Sequence, residues 1–158
     1  MRGEPDWLAD LEDAAATEGL GDRIAGIVKP GTLVLLEGPL GAGKTCLVRG
    51  LVRGLGGDGA EVCSPTFILL ETYGVAGLGI ERVHHADLYR LRGLPAAPWD
   101  EVGLGEVMDD SSGVTAVEWP GGWDWCGLAS GPIIRVILTP TASGRSAAVW
   151  LESGSTNA

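Results

Sequence analysis

The segment "TLVLLEGPLGAGKTCLVRGLVRGL", residues 32–55, constrains the fold of this chain more than any other. It opens with a short, wholly apolar run of the kind that forms a strand buried on both faces of a parallel sheet. A glycine-rich bend follows, and then Leu47, Leu51 and Leu55 recur on one face of a helix that stops at "GGDG". The order strand, glycine loop, helix predicts an α/β fold.

Residues 38–45 match G-x-x-x-x-G-K-[ST], the phosphate-binding loop. Its glycines let backbone N–H groups converge on phosphate oxygens, while the lysine reaches the terminal phosphates and the threonine hydroxyl binds Mg²⁺. The alternative, an ordinary glycine turn, is disfavoured by the flanking strand and helix. We therefore predict a nucleotide site formed by Gly38, Leu40, Gly41, Ala42, Gly43, Lys44, Thr45 and Cys46.

Two carboxylates follow later strands. Such a site needs an acidic residue at the end of a neighbouring strand, and "RVHHADLYR" supplies Asp87. Glu118 in "AVEWP" suits a second metal contact or the residue that orients the attacking water, the alternative being a solvated glutamate at the end of a strand. Thr45, Asp87 and Glu118 are the predicted metal ligands, and Lys44 and both carboxylates the predicted catalytic groups.

The adjacent His84 and His85 raise the question of a transition-metal site. Neighbouring residues on a strand point to opposite faces, so the pair is poorly arranged to chelate one ion. We expect one histidine in the core or in a hydrogen bond, and the other near the site.

Two further segments carry weaker signals. In "CSPTF", Ser64 and Thr66 surround a proline-stiffened bend, and Thr66 either senses the γ-phosphate, as a catalytic switch threonine, or simply caps a turn. In "EWPGGWDWCG", we expect some exposed indole surface on Trp119, Trp123 and Trp125, either for docking a partner or as a small cluster beneath the loop.

The remaining patterns predict a three-layer α/β fold, its central sheet mainly parallel with antiparallel edge strands. A helix is expected over "ATEGLGDRIAGIV", with Thr17 as a candidate cap and an end near Lys29. Strands are expected in "TFILLETY" and "IERVHHADLY", joined around Gly77 and Gly79, and in "GVTAVEWP". "GPIIRVILTP" and "SAAVWLE" suggest a closing antiparallel pair, and at most a short helix follows Trp99.

The first dozen residues are acidic and weakly patterned. We expect one domain over residues 1–152 and a disordered tail over 153–158.

Composition limits the partners and the compartment. The formal net charge is −10, and Lys29 and Lys44 are the only lysines, so direct binding to tRNA or DNA is disfavoured. Three cysteines without CxxC spacing suit a reducing cytosol. No signal-peptide pattern occurs, and no apolar run approaches the ~20 residues needed to cross a bilayer. We expect a soluble cytoplasmic protein with no membrane contact.

Several separated motifs together resemble one family, TsaE, the small ATPase of bacterial tRNA threonylcarbamoyladenosine synthesis. The matching stretches are "GPLGAGKT", "SPTF" followed by Tyr73, "HADLYRL", "VEWP", and Gly144 with Arg145. They span the chain from about Leu20 to Leu151. The resemblance implies the P-loop NTPase fold, with ATP and Mg²⁺ as cofactors. It also implies TsaB and TsaD as partners, slow hydrolysis that resets their complex between turnovers, and tRNA held only indirectly.

Carried over by position, Thr66 belongs to a switch-like loop, while Tyr89 and Arg90 support the site or the partner contact. The chain departs from the family at Pro39, commonly acidic there, and at Cys46, commonly a second threonine. Pro39 lacks an N–H for the phosphate cradle, and Cys46 lacks a hydroxyl that could bond the α-phosphate. We therefore expect ATP binding with changed affinity.

Two other functions stay open. A P-loop kinase acting on a small molecule would need a lid with arginines, and here Arg90 and Arg92 precede only a short, proline-broken segment. A nucleotide-dependent switch with negligible turnover is the third hypothesis. We favour the ATPase.

Overall fold

A computed structural model describes residues 2–66, 68–94 and 102–154. Within these residues, seven strands form one sheet in the order β1-β7-β6-β2-β5-β4-β3. The strands are β1 (Trp7–Leu11), β2 (Leu33–Glu37), β3 (Leu70–Gly77), β4 (Ile80–Asp87), β5 (Gly113–Glu118), β6 (Ile133–Thr141) and β7 (Gly144–Glu152). The helices are α1 (Ala14–Ala25), α2 (Lys44–Gly54), α3 (Leu104–Met108) and α4 (Trp125–Leu128).

The middle of the sheet is parallel. Strand β2 pairs in parallel with β5 on one side and β6 on the other, and β5 pairs in parallel with β4. The outer pairs β1–β7, β6–β7 and β3–β4 are antiparallel. The predicted sheet, with a parallel centre and antiparallel edge strands, is confirmed.

Strand β2 is buried on both faces, as its apolar run predicted. Val34 and Leu36 belong to the apolar cluster that includes helices α1 and α2. Leu33 and Leu35 belong to a second cluster, which includes residues of α3 and α4. The sheet is therefore the middle of three layers.

Helices α1 and α2 pack with their backbones in close approach. Gly21 of α1 faces α2, and a Cβ atom there would collide with the backbone at Leu47 and Leu51. Gly50 of α2 likewise faces the backbone of Glu18. Small residues at these positions allow α2, which follows the glycine loop, to lie close beneath α1.

The start and end of α1 differ from the prediction. Asp13, not Thr17, is the N-cap, because its Oδ1 accepts a 2.8 Å hydrogen bond from the Ala16 N–H. The Thr17 hydroxyl lies one turn inside the helix and donates to the Asp13 carbonyl. The helix ends at Ala25 rather than near Lys29, and Val28 fills the core from the turn that follows.

Strand β1 was missed in the weakly patterned acidic start. Its side chains do alternate, with Trp7, Ala9 and Leu11 turned toward the core side and Leu8 and Asp10 outward. Because Leu8 is 77% exposed, the outward face carries an apolar residue that hides the alternation.

The other predicted elements are observed where the structure describes them, except that the strand expected from Thr66 begins only at Leu70, after a turn in which Leu69 has a positive φ. Strands β3 and β4 form a hairpin through Leu78 and Gly79, and β6 and β7 form the closing antiparallel pair. Helix α3 is the short helix expected after Trp99, although residues 95–101 lie outside the described residues. Most of the predicted tail, 155–158, also lies outside them, and the domain limits stay a prediction. None of the described helices is long and apolar enough to cross a membrane.

Trp119 and Trp123 are half-buried, so the segment exposes some indole surface as expected, but the predicted docking role of Trp125 is wrong. Trp125 is 1% exposed, its Nε1–H donates to the Pro120 carbonyl at 2.9 Å, and it lies among the apolar residues under α4. A partner has no surface of Trp125 to contact. Trp123 is half-buried and lies edge-on to Trp125, with 6.5 Å between the ring centroids.

The packing of α1 on α2 gives the first prediction. Gly21→Ala should lower the free energy of unfolding by about 1–3 kcal/mol, because the added methyl group overpacks the helix interface. Gly19→Ala is the matched control on the same helix, where an added Cβ meets no atom within 4 Å. That variant should gain about 0.5–1 kcal/mol from helix propensity. Urea denaturation measures both, and equal effects at the two positions would contradict the close packing.

The burial of the Trp125 indole gives a second prediction. Trp125→Ala should cost about 3–5 kcal/mol of unfolding free energy, since it empties a core position and orphans the Pro120 carbonyl. Trp123→Ala should cost clearly less, because that ring is only half-buried. A Trp125 variant as stable as the wild type in the same denaturation assay would contradict this packing.

Candidate functional site

The carboxyl ends of β2, β5 and β4 meet at one edge of the sheet. Because the three strands are parallel and adjacent, residues 38–43 after β2, Glu118 at the end of β5 and Asp87 at the end of β4 come together. Asp87 and Glu118 are direct register partners. They help to line a cleft of about 350 Å³, together with Leu40, Gly41, Gly43, Lys44, Thr45, Cys46, Arg49, Ser64, Thr66, Tyr89 and Trp119.

The glycine loop has the backbone shape of a phosphate cradle. Gly38, Gly41 and Gly43 all have positive φ, which side chains disfavour. Gly43 is the N-cap of α2, and no described side chain caps this helix end. The N–H groups of the first turn are thus available to an anion, and the helix dipole favours negative charge there.

Lys44 spans the loop that precedes it. Its ammonium donates to the carbonyls of Gly38 at 2.6 Å and Pro39 at 2.8 Å, and lies 4.3 Å from the centre of the Trp119 ring. Burial lowers the pKa of Lys44, while the charges of Glu118 and Asp87 act in the opposite direction. The loop therefore holds a buried cation beside two buried carboxylates.

Thr45 contacts one of the two carboxylates directly. Its hydroxyl lies 2.9 and 3.1 Å from the two oxygens of Glu118, which is buried. Thr45 contacts Glu118 rather than Asp87 because β5, which carries Glu118, is adjacent to β2, whereas β4, which carries Asp87, is one strand further away.

Asp87 holds the loop before β3. Its Oδ2 accepts hydrogen bonds from Thr66 at 2.8 Å and Ser64 at 3.0 Å, and its Oδ1 accepts from the Tyr89 N–H at 2.9 Å. Thr66 is thus brought to the site as predicted, although its role as a switch stays a prediction. Ser64 was not among the predicted site residues, and its spacing two residues before Thr66 was the available signal.

The donor set suits Mg²⁺. A hydroxyl and two carboxylates are hard oxygen ligands, and Mg²⁺ usually combines one or two such groups with water and substrate phosphates. Among the described residues, no three His, Cys, Asp or Glu side chains are grouped to hold a metal. Thr45, Asp87 and Glu118 are the residues that would hold the ion.

The two histidines point to opposite faces of the sheet, as predicted. The His84 ring contacts the Thr72 hydroxyl and the Asp110 carboxylate. The His85 ring contacts Tyr73 and Glu118, and it is this second histidine that lies beside the site.

Aromatic and cationic side chains cover one side of the cleft. Tyr89 lies edge-on to Trp119 with 5.0 Å between centroids, and the Arg92 guanidinium lies 3.6 Å from the centre of the Tyr89 ring. Arg90 is exposed and Trp123 half-buried. Docking of a partner on Tyr89, Arg90, Trp119 and Trp123 stays a prediction.

The departures at Pro39 and Cys46 alter the loop locally. The Pro39 carbonyl accepts from the Ala42 N–H as well as from Lys44. The Cys46 thiol donates to the Ala14 carbonyl at 3.3 Å, and burial raises its pKa, so it stays a thiol. Arg145 lies against Gly43, where a Cβ would collide with its guanidinium. Arg145 therefore adds a cation beside the loop.

Comparison with known proteins identifies the family. Residues 11–142 match the model of threonylcarbamoyl adenosine biosynthesis protein TsaE. The chain is 44% identical over 110 residues to the tRNA threonylcarbamoyladenosine biosynthesis protein TsaE of Synechocystis. The aligned segment covers 70% of this chain and 68% of that protein. The chain is 45% identical over 100 residues to the protein of that name from Streptomyces coelicolor, covering 63% of this chain and 64% of the relative.

A solved structure, YdiB of Bacillus subtilis, supports the fold. Its TM-score is 0.58 at 23% sequence identity, and the match covers 94% of this chain and 84% of that one. With the family model matching most of the chain, the conclusion is that this chain belongs to the TsaE family, which takes part in tRNA threonylcarbamoyladenosine biosynthesis.

Proposed function

We propose that this protein is a Mg²⁺-dependent ATPase that acts in the cytoplasm and couples slow ATP hydrolysis to turnover of the TsaB–TsaD complex. The observation that carries the proposal is the joint arrangement of the glycine loop, Lys44, Thr45 and the carboxylates of Asp87 and Glu118 in one cleft. Family membership supports the pathway.

The loop and the start of α2 bind the phosphates. Uncapped N–H groups at the helix start donate to phosphate oxygens, and the Lys44 ammonium exchanges the carbonyls of Gly38 and Pro39 for the terminal phosphates. The carbonyls hold this cation close to where it acts. Arg145, beside Gly43, adds positive charge at the loop.

Glu118 and Asp87 serve the reaction centre. Bound Mg²⁺ supplies charge neutralisation on the phosphates in the transition state. Glu118 accepts a hydrogen bond from the attacking water and orients it toward the γ-phosphorus. As the new P–O bond forms, the bond to the bridging oxygen breaks and its electron pair leaves with ADP, while the proton lost by the water passes to the released phosphate or to solvent. Asp87 fixes Ser64 and Thr66 beside the phosphates through its Oδ2.

The partners hold the tRNA. A net charge of −10 with two lysines opposes direct contact with a polyanion, which supports a role that reaches tRNA through TsaB and TsaD. Tyr89, Arg90, Trp119 and Trp123 form the proposed contact for these partners, next to the cleft and therefore sensitive to its nucleotide.

Hydrolysis without an acceptor separates this function from a small-molecule kinase. The purified chain should release phosphate from ATP in the presence of Mg²⁺, and adding TsaB and TsaD should change that rate. Phosphate release only when a hydroxyl acceptor is supplied would favour the kinase instead.

Lys44→Ala should weaken ATP binding by about 100-fold, since it removes charge-assisted hydrogen bonds worth about 1.5–3 kcal/mol each. The matched control is Lys29→Ala, which removes the chain's other lysine at an exposed position. Calorimetric titration with ATP and Mg²⁺ gives both affinities. Wild-type affinity in the Lys44 variant would refute the phosphate-binding role of the loop.

Asp87→Asn should reduce the rate of Mg²⁺-dependent hydrolysis by about 100-fold or more, because misplacing the reacting groups by about 1 Å has an effect of that size. The affinity for ATP should change only a few-fold. Asp109→Asn, at the exposed end of α3, is the control that removes one negative charge elsewhere. Phosphate release measured at saturating ATP tests this. A fully active Asp87 variant would exclude the proposed role.

A further inference from the structure

His85 is a buried polar residue that the proposed function does not yet use. It is 0% exposed and lies on the same face of β4 as Asp87, two residues further on. In the register of the sheet, His85 is opposite Ala116 of β5 and Glu71 of β3. Residues two positions along these strands, Glu118 and Tyr73, share its face.

The ring nitrogens of His85 each contact one of these residues. Nε2 lies 2.5 Å from Oε2 of Glu118, and Nδ1 lies 3.3 Å from the Tyr73 hydroxyl. The Tyr73 hydroxyl also lies 3.4 Å from the Cys63 carbonyl, at the start of the loop that carries Ser64 and Thr66. A continuous chain of contacts therefore runs from that loop to Glu118.

The direction of these hydrogen bonds follows from the donors available. Thr45 donates to the Glu118 carboxylate, which has only acceptors to offer, so Nε2 of His85 must carry the hydrogen that faces it. Burial raises the pKa of Tyr73 to about 12, so its side chain is a hydroxyl and a donor at neutral pH. The Tyr73 hydroxyl then donates to Nδ1 or to the Cys63 carbonyl, and the hydrogen on Nε2 is required in either arrangement.

We propose that His85, oriented by Tyr73, is a positioning residue that fixes the Glu118 carboxylate for ATP hydrolysis. This inference rests on the proposed ATPase function. His85 binds only Oε2 of Glu118, whereas Thr45 contacts both oxygens. Oε1 is the oxygen turned away from His85, and it is the one that orients the attacking water or the metal shell.

The arrangement also links the two carboxylates. Asp87 holds the loop through Ser64 and Thr66, and Tyr73 contacts the same loop at Cys63. The loop therefore contacts Asp87 directly and is linked to Glu118 through Tyr73 and His85.

Replacing His85 by its two amide analogues tests the role. In His85→Gln the amide nitrogen reaches a position similar to Nε2, so the donor to Glu118 is retained. In His85→Asn the shorter amide reaches only the region of Nδ1. His85→Asn should lower kcat by about 100-fold, the cost of misplacing a catalytic group by about 1 Å. His85→Gln should recover most of that rate, and both variants should bind ATP within about 3-fold of the wild type because neither removes a phosphate contact.

His84→Asn is the matched control. His84 is the neighbouring residue on β4, also buried and hydrogen-bonded, but on the opposite face with Thr72 and Asp110. It should lower the melting temperature without lowering kcat at a temperature where the variant is folded. Tyr73→Phe removes only the hydroxyl and should lower kcat less than His85→Asn does. If His85→Asn does not fold, the kcat of Tyr73→Phe tests the positioning role instead.

The outcomes separate the two proposals. The positioning role is supported if the wild type hydrolyses ATP, His85→Asn loses this activity and His85→Gln retains most of it. Hydrolysis that persists unchanged in folded His85→Asn, or in Tyr73→Phe when His85→Asn is unfolded, overturns the positioning role alone. An equal loss of kcat in His85→Asn, His85→Gln and His84→Asn also overturns it, since a general effect of packing would then explain all three. Absence of hydrolysis by the wild type, with and without TsaB and TsaD, overturns both proposals.

Discussion

The parallel pairing of β2 with β5 is the constraint on which the site depends. Leu36 of β2 is the register partner of Glu118, so the chain enters the glycine loop just beyond the strand end that carries this carboxylate. Strand β5 in turn pairs with β4 so that Glu118 lies opposite Asp87. Helix α2 then returns over the sheet, held close by the glycine contacts with α1, and brings Thr45 onto Glu118. The cleft follows from strand order and from one tight helix interface.

This geometry sets two buried carboxylates side by side, an arrangement that costs free energy through desolvation and mutual repulsion. The protein offsets that cost with donors: three reach Asp87, from Ser64, Thr66 and the Tyr89 backbone, and others reach Glu118 from Thr45 and His85. Lys44 adds a buried cation that is held by carbonyls. Because Lys44 and both carboxylates already have hydrogen-bond partners, the proposed binding of ATP and Mg²⁺ requires these side chains to exchange partners. The N–H groups at the start of α2, by contrast, have no cap from a described side chain to displace.

Sequence reasoning predicted the elements that have a strong local pattern. The apolar run of β2 and the glycine loop before Lys44 require only neighbouring residues, and both are as predicted. Strand β1 was missed because the exposed Leu8 hides its alternation. Trp125 was wrongly placed in the docking set because the local pattern does not show which of the three indoles fills the core. The contact between Thr45 and Glu118 depends on strand order, and the sequence pattern does not encode that order directly.

The most direct test of the central claim is a crystal structure with a non-hydrolysable ATP analogue and Mn²⁺ in place of Mg²⁺, located by its anomalous scattering. Residues 38–45 should cradle the phosphates, and one metal ion should lie about 2.1 Å from the Thr45 hydroxyl oxygen, on the side that faces Asp87 and Glu118. Phosphates bound away from this loop, or a metal ion that contacts none of these three residues, would contradict that claim.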